Sequence, residues 1–232
     1  MSKFNIRDGE NQFQRLFEDD KYSELTMGVM RAYDWCVDPR RLVFTFSRYK
    51  FVSKILEGKK MVAEIGCGDG LASKLVAQTV SDLHLTDFDD RFVEITKTKY
   101  DILNDNILVY KHDIVLQGFK KKFEAIYALD VLEHIPETHD ERVLNNICES
   151  LNEHGILILG MPSLESQVYA SPISKEGHVN CKSGEDLKSL MQGFFHNVLL
   201  FSMNDEVVHT GFSRLAHYIF AIGFSPKSKL NV

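Results

Sequence analysis

The segment Glu64-Ile-Gly-Cys-Gly-Asp-Gly70 carries the densest chemical signal in the chain. Glycine tolerates positive φ and lets a ligand approach backbone where a Cβ would collide, so three alternating glycines (Gly66, Gly68, Gly70) ask for more than a tight turn. The spacing is not the G-x-G-x-x-G of dinucleotide sites, and Asp69 stands inside the loop, where it would repel a diphosphate. Asp87 follows seventeen residues after Gly70, at the end of the next apolar run, where a carboxylate can accept both hydroxyls of a ribose. The pair of features points to a ribose-bearing ligand without adjacent phosphates. Other chemistries lack their residues: there is no G-x-x-x-x-G-K-[ST] loop, and no tyrosine has a lysine four positions later. The nine histidines form no H-x-x-x-H or HExxH pair, His134 and His139 do not share a helix face, and Asp130 with Glu133 alone is an insufficient set, so no metal site is expected.

Elements of alternating type must hold this loop. Met61 to Ile65 reads as a buried parallel strand, Leu71 to Gln78 as helical, and Leu83, Leu85 and Asp87 as a second strand. A helix from about Asp89 to Leu103 follows, then strands at Ile107 to His112 and Phe123 to Leu129. The next helix should be opened by Pro136 with a Thr138/Glu141 capping box and closed by Gly155. Gly155 to Leu159 reads as a fifth strand, Ser183 to Asp186 as a box opening a helix to about Met191, and Asn197–Ser202 and roughly His209–Ile222 as two last strands with no helix between. This order gives an α/β fold, a doubly wound seven-stranded sheet. Residues 1–58 read as a helical N-terminal extension and 59–232 as the main domain, with a polar substrate loop at about 163–182.

Composition sets the frame. At 232 residues, 44% hydrophobic and 26% charged, the chain can build one substantial core. The longest apolar run, Ala216 to Phe224, is about half the ~18 residues a spanning helix needs, so no membrane association is expected. Four separated cysteines without a Cys-x-x-Cys pair point to a reducing, cytoplasmic setting. A net charge of -6 disfavours nucleic acid as partner. Arg40 to Lys60 nevertheless carries about +6, leaving about -12 elsewhere. Most of those lysines read as a solvated helix face, while Arg40, Arg41 and Arg48 are candidates for holding an anion.

The glycine loop and its surroundings resemble the class I S-adenosylmethionine-dependent methyltransferases, whose first motif is E-x-G-x-G-x-G. The similarity runs in order from about Lys59 to Met161. It implies S-adenosylmethionine as cofactor, with Glu64, Gly66, Cys67, Gly68 and Gly70 about its methionine part, Asp87 on the ribose and Phe88 beside the adenine. His112-Asp113-Ile114 resembles the motif that reads the adenine amino group through Asp113. Leu129-Asp130-Val-Leu-Glu-His-Ile-Pro136 matches the fourth motif, common in small-molecule enzymes, and Gly155 to Pro162 matches the fifth strand. The second-strand motif, Leu-Thr-Asp-Phe-Asp, departs from the usual glycine-aspartate-x-serine, which leaves the ribose role intact and blurs the adenine side. Arg48 could hold the cofactor's carboxylate or a phosphorylated acceptor.

Methyl transfer from a sulfonium is an in-line displacement, so the protein must align the acceptor and remove its proton where the acceptor is a hydroxyl. The carboxyl edge of the sheet offers three sources. His134 reads either as a base or as a scaffold residue. The 163–182 loop adds Tyr169, His178 and Asn180, with His178 the first choice of general base. The last hairpin adds Asn204 and His209, which read either as acceptor-binding residues or as ordinary turn chemistry. The expected activity is O-methylation of a small polar molecule, sugar-like or phosphorylated, by similarity to stand-alone methyltransferases of sugars and polysaccharide precursors. N-methylation of an amino sugar or other small amine is the alternative; [DNS]-P-P-[YFW], common where nucleic acids are N-methylated, is missing. A cofactor-binding partner or regulatory protein without catalysis is the reading from another class. Monomer and homodimer both stay open.

Overall fold

The computed structural model describes residues 26–103 and 106–228; the helical reading of residues 1–25 lies outside them. The apolar runs form β1 (Met61–Ile65), β2 (Asp82–Asp87), β3 (Ile107–Lys111), β4 (Phe123–Leu129), β5 (Leu151–Pro162), β6 (Phe195–Asn204), β7 (Val207–His209) and β8 (Tyr218–Pro226). Helices are α1 (Val29–Val37), α2 (Arg40–Ile55), α3 (Lys74–Ala77), α4 (Asp90–Leu103), α5 (Asp140–Ser150), α6 (Pro172–Gly177) and α7 (Gly184–Phe194). One eight-stranded sheet runs β3-β2-β1-β4-β5-β8-β6-β7. Its first five strands are parallel, and β8 runs antiparallel between β5 and β6. The order reverses between β1 and β4, the crevice where doubly wound sheets bind ligands.

Side chains alternate across the strands, and each face buries its own cluster. Val62, Leu85, Tyr127, Ile158 and Phe220 pack with Tyr49, Val52 and Leu56 of the α2 segment and Val76 of α3. Ala63, Ile126, Leu157 and Ile219 pack on the other face with Leu144 and Ile147 of α5 and Leu187 and Met191 of α7. Fully burying one such aliphatic side chain contributes about 1.5–3 kcal/mol, so α2 is bound firmly to the sheet.

The structure corrects three expected boundaries. The sheet has an eighth strand because residues 207–217 do not continue β8: β7 pairs with the end of β6, a 3-10 turn spans Ser213–Leu215, and β8 starts at Tyr218. The Thr138/Glu141 capping box does not form. Glu137–His139 is a 3-10 turn, α5 starts at Asp140, and its N-cap, His139, makes no side-chain cap. The Asp140 carboxylate turns inward, 2.7 Å from Lys182 Nζ. Gly155 is not a helix cap either: α5 ends at Ser150 because Leu151 pairs with Phe123, and the β4–β5 register then shifts. The glycine lies within β5, where a Cβ would stand 2.8 Å from Leu151 Cβ. The Ser183 box does form, with Ser183 Oγ accepting from Asp186 N–H.

Candidate functional site

The turn after β1 is held open by its glycines, with φ of +72° at Gly66, +55° at Gly68 and +66° at Gly70. A Cβ on Gly66 would meet Val131 Cγ2 at 2.4 Å. Gly70 serves packing: its carbonyl accepts the Tyr100 hydroxyl at 2.7 Å. Asp87 ties the loop to the end of β2, its Oδ2 accepting Gly68 N–H and its Oδ1 accepting Asp89 N–H, both at 3.0 Å. Each oxygen keeps a second lone pair.

Beyond these strand ends lies a cavity of about 600 Å³, lined among others by Ile65, Gly66, Asp87, Phe88, Phe92, His112, Asp113, Ile114, Asp130, Val131 and His134. Among the described residues, no lysine or arginine lines it. Asp113 spends one oxygen on Val115 N–H at 2.9 Å. Phe88 is exposed although it borders the cavity. A narrow pocket of about 60 Å³ shares Met30, Gly66 and Asp130 with it and adds Arg31, Thr45, Tyr49, Cys67, Asp69 and Leu129. Arg31 N–H donates to Asp69 Oδ2 at 2.9 Å, and Arg31 Nη1 to Thr45 Oγ1 at 2.7 Å. Burial pushes the Cys67 thiol up, so it stays protonated.

Several expected residues stand elsewhere. Glu64 is fully buried beneath the loop, taking the hydroxyls of Tyr49 and Tyr127 at 2.5 and 2.6 Å. It braces the loop and lines neither cavity, and burial raises its carboxyl above the ordinary range. Arg48 reaches Asp130 Oδ2 at 2.8 Å and Oδ1 at 3.1 Å, with its guanidinium carbon 3.8 Å from the Tyr218 ring centre. It thereby holds Asp130, at φ +57°, in a left-handed conformation uncommon outside glycine. Arg40 is paired with Asp38 at 2.9 Å and Arg41 lies 3.9 Å from Asp34, so the basic segment does not converge on one anion. Tyr169 is 90% exposed. Asn180 is buried, donating to Asp140 Oδ1 at 2.8 Å and accepting from Lys182 Nζ at 2.9 Å. Asn204 Oδ1 and His209 Nε2 bond each other at 2.9 Å in the β6–β7 hairpin.

His134 and His178 do come together. His134 ends a 3-10 turn after β4, and the rings lie 5.2 Å apart at 65°. The Glu133 carbonyl accepts N–H groups of Val179 and Asn180 at 2.9 and 3.0 Å, which pins the long loop to the turn. The Glu133 side chain is fully buried beside them, and among the described residues neither carboxylate oxygen has a hydrogen-bond partner. Ligating atoms of Glu133, His134 and His178 all lie within 4.8 Å of one another. The sequence alone suggests no such set; the fold assembles one by bonding residues 179 and 180 to the Glu133 carbonyl. Burial raises the Glu133 carboxyl well above its usual range, and burial and the His134 ring lower His178. Sequence reasoning also missed Met30 and Arg31, which reach the glycine loop only through the tertiary placement of α1.

The methyltransferase domain family matches residues 38–197, a span that contains the glycine loop, Asp87, Asp113 and the Asp130–His134 turn. The chain belongs to this family. Its members of this fold are class I methyltransferases that use S-adenosylmethionine. Ubiquinone biosynthesis O-methyltransferase of Coxiella burnetii (strain Dugway 5J108-111) is 27% identical over 110 residues, 47% of this chain and 46% of that protein. The match thus spans about half the length of the curated relative. Two solved structures share the fold. N-methyltransferase NodS of Bradyrhizobium japonicum WM9, in complex with S-adenosyl-L-homocysteine, is 16% identical with a TM-score of 0.59, covering 94% of this chain and 98% of that one. A TehB-like S-adenosylmethionine-dependent methyltransferase of Corynebacterium glutamicum is 14% identical with a TM-score of 0.58, covering 94% and 97%.

The cavity fits the family's cofactor. Its volume suits one nucleoside-sized ligand. Its ionisable lining is acidic or histidine, which suits a sulfonium cation and offers a diphosphate nothing. Among the described residues, no helix is long and apolar enough to cross a membrane.

Proposed function

We propose that the protein methylates a hydroxyl oxygen of a small polar, sugar-like acceptor, with S-adenosylmethionine as donor. One observation carries this reading: a cavity lined by Asp87 and His134 and, among the described residues, by no lysine or arginine, with the His178 ring 5.2 Å from that of His134. Asp87 would accept the ribose hydroxyls, Asp113 the adenine amino group with Ile114 and Phe88 against the ring, and the narrow pocket beside Asp69 and Arg31 would take the amino-acid tail. Cys67 and Leu129 form walls of that pocket, and Arg48 acts through Asp130 instead of touching the ligand. The cofactor supplies an electrophilic methyl group. The chain aligns the acceptor oxygen against it, since in-line displacement depends on that geometry.

The acceptor would enter beside His134, where hydrogen bonds between residues 177–180 and the Glu133–His134 turn bring His178 alongside. The scatter of Arg40, Arg41 and Arg48 removes the support for a phosphorylated acceptor. We further propose that the catalytic unit includes α2, because Tyr49 and Val52 belong to the core of the sheet. The test is incubation with S-adenosylmethionine and a panel of sugar-like and other hydroxyl compounds, with amines as the competing class. A product heavier by one methylene from a hydroxyl compound supports the reading. Methylation of amines alone, or cofactor binding with no turnover on any acceptor, overturns it.

A further inference from the structure

Glu133 is the anomaly of the site. A buried carboxylate without a donor at either oxygen costs more than almost any other polar group, and proteins satisfy such groups with a hydrogen bond, a cation or a metal. Among the described residues, the histidines whose ligating atoms gather around it are His134 and His178.

The two imidazoles are already set as ligands. His134 Nδ1 lies 2.9 Å from the Gly177 carbonyl oxygen, and His178 Nδ1 lies 2.8 Å from Gln167 Oε1. Both partners are acceptors, so each Nδ1 must carry the proton and donate, which leaves Nε2 of each ring with a free lone pair. The orientation of Gln167 is fixed independently, because its Nε2 donates to Ser163 O at 3.2 Å. A histidine whose other nitrogen donates to an oxygen in this way is the usual form of a metal ligand.

We propose that Glu133, His134 and His178 bind one divalent first-row transition metal ion. Two imidazole nitrogens and one carboxylate oxygen suit manganese, iron, cobalt or zinc, and three protein ligands leave positions open for a further one. Ligands at about 2.0–2.2 Å from one ion in a tetrahedral set stand about 3.3–3.6 Å apart, so ligating atoms now within 4.8 Å of one another must close by at most about 1.5 Å, within the reach of side-chain rotation. Asp130 is excluded from the set by its pairing with Arg48.

The site lies where the proposed acceptor enters, and its catalytic role rests on the hydroxyl-acceptor reading above. An acceptor hydroxyl taken as a further ligand loses its proton to solvent at a pH where it would otherwise keep it. Its oxygen then forms the new bond to the methyl carbon while the carbon–sulfur bond breaks and its electron pair returns to sulfur. The imidazoles thereby serve as ligands, and the metal does the work assigned to a general base in the sequence reading. Gln167 becomes a positioning residue.

Chelator-stripped protein titrated with manganese, cobalt or zinc chloride alone, by calorimetry and by cobalt absorption in the visible, tests the binding without any acceptor. One site is expected, weakened at least tenfold by Glu133→Gln and by His178→Ala, and about 10–100-fold by Gln167→Ala, with cofactor affinity unchanged in each. Glu133→Gln keeps the shape and removes the ligating carboxylate, so it should fold even if the histidine variants do not. Absence of saturable binding in the stripped wild type, or equal binding by Glu133→Gln, overturns the proposal whatever the enzyme methylates. Saturable binding without methylation of any hydroxyl leaves the metal site standing and refutes the acceptor reading instead.

Discussion

Replacing Asp87 by alanine separates recognition from scaffolding, because the carboxylate does both jobs with different lone pairs. Its inward-facing pairs take Gly68 N–H and Asp89 N–H at 3.0 Å; its outward pairs face the cavity. A hydrogen bond to a charged group contributes about 1.5–3 kcal/mol net of water, so loss of two ribose contacts should weaken cofactor binding by about 2–4 kcal/mol after partial solvent compensation. At about 1.4 kcal/mol per decade, that is roughly 30- to 700-fold in dissociation constant. The two backbone donors left behind lower stability as well, by about 1–3 kcal/mol each if water does not reach them. Asp87→Asn should fall between, since its amide keeps one acceptor oxygen and turns the other position into a donor facing a backbone N–H. Titration calorimetry with S-adenosylmethionine, paired with thermal melts of both variants, reads the two effects apart. A lower melting temperature with affinity within threefold of wild type would refute ribose recognition and leave Asp87 as a loop clamp alone.

Three other changes follow from the same contacts. Burial raises the Glu64 carboxyl above its unfolded value, so folding takes up a proton, and this contribution to stability is present at low pH and lost as pH rises through the raised value; Glu64→Gln should therefore gain on wild type in melting temperature between pH 4.5 and 8, and a constant difference would contradict the ionisation described. Asn180→Ala should lose about 1–3 kcal/mol in denaturant melts by unpairing Asp140 and Lys182, with cofactor affinity unchanged, whereas a selective loss of acceptor binding would return Asn180 to the substrate site. Arg48→Met should cost about 1–2 kcal/mol, less than a fully buried pair because the Asp130 side chain is 38% exposed, and unchanged stability would show that the pair is not what holds the turn.

The parts of the fold that could be read in advance were those written in local pattern. Alternating apolar runs and helical segments located β1 to β5, and Ser183 with Asp186 announced the start of α7. The misplaced boundaries share one cause, the override of local signals by long-range pairing. Thr138 and Glu141 spell a capping box, yet Asp140 is drawn to Lys182 and the turn before it tightens. Gly155 looks like a helix cap, yet Leu151 is claimed four residues earlier by Phe123 of β4.

The site divides along the same line. Chain order alone determined the glycine turn and the acid, Asp87, at the end of the next strand, because these depend on a strand, a turn and a helix adjacent in sequence. Tertiary structure decided that Glu64 and Arg48 are braces, since each finds its partner on an element far away in the chain: Tyr127 for one, Asp130 for the other. It also decided that Glu133, His134 and His178 form one cluster. More than forty positions separate His178 from the other two, and long-range hydrogen bonds, among them those from Val179 and Asn180 to the Glu133 carbonyl, fold the long loop back onto the turn. No spacing rule encodes that return, because the force that makes it is the need to satisfy buried backbone groups in three dimensions.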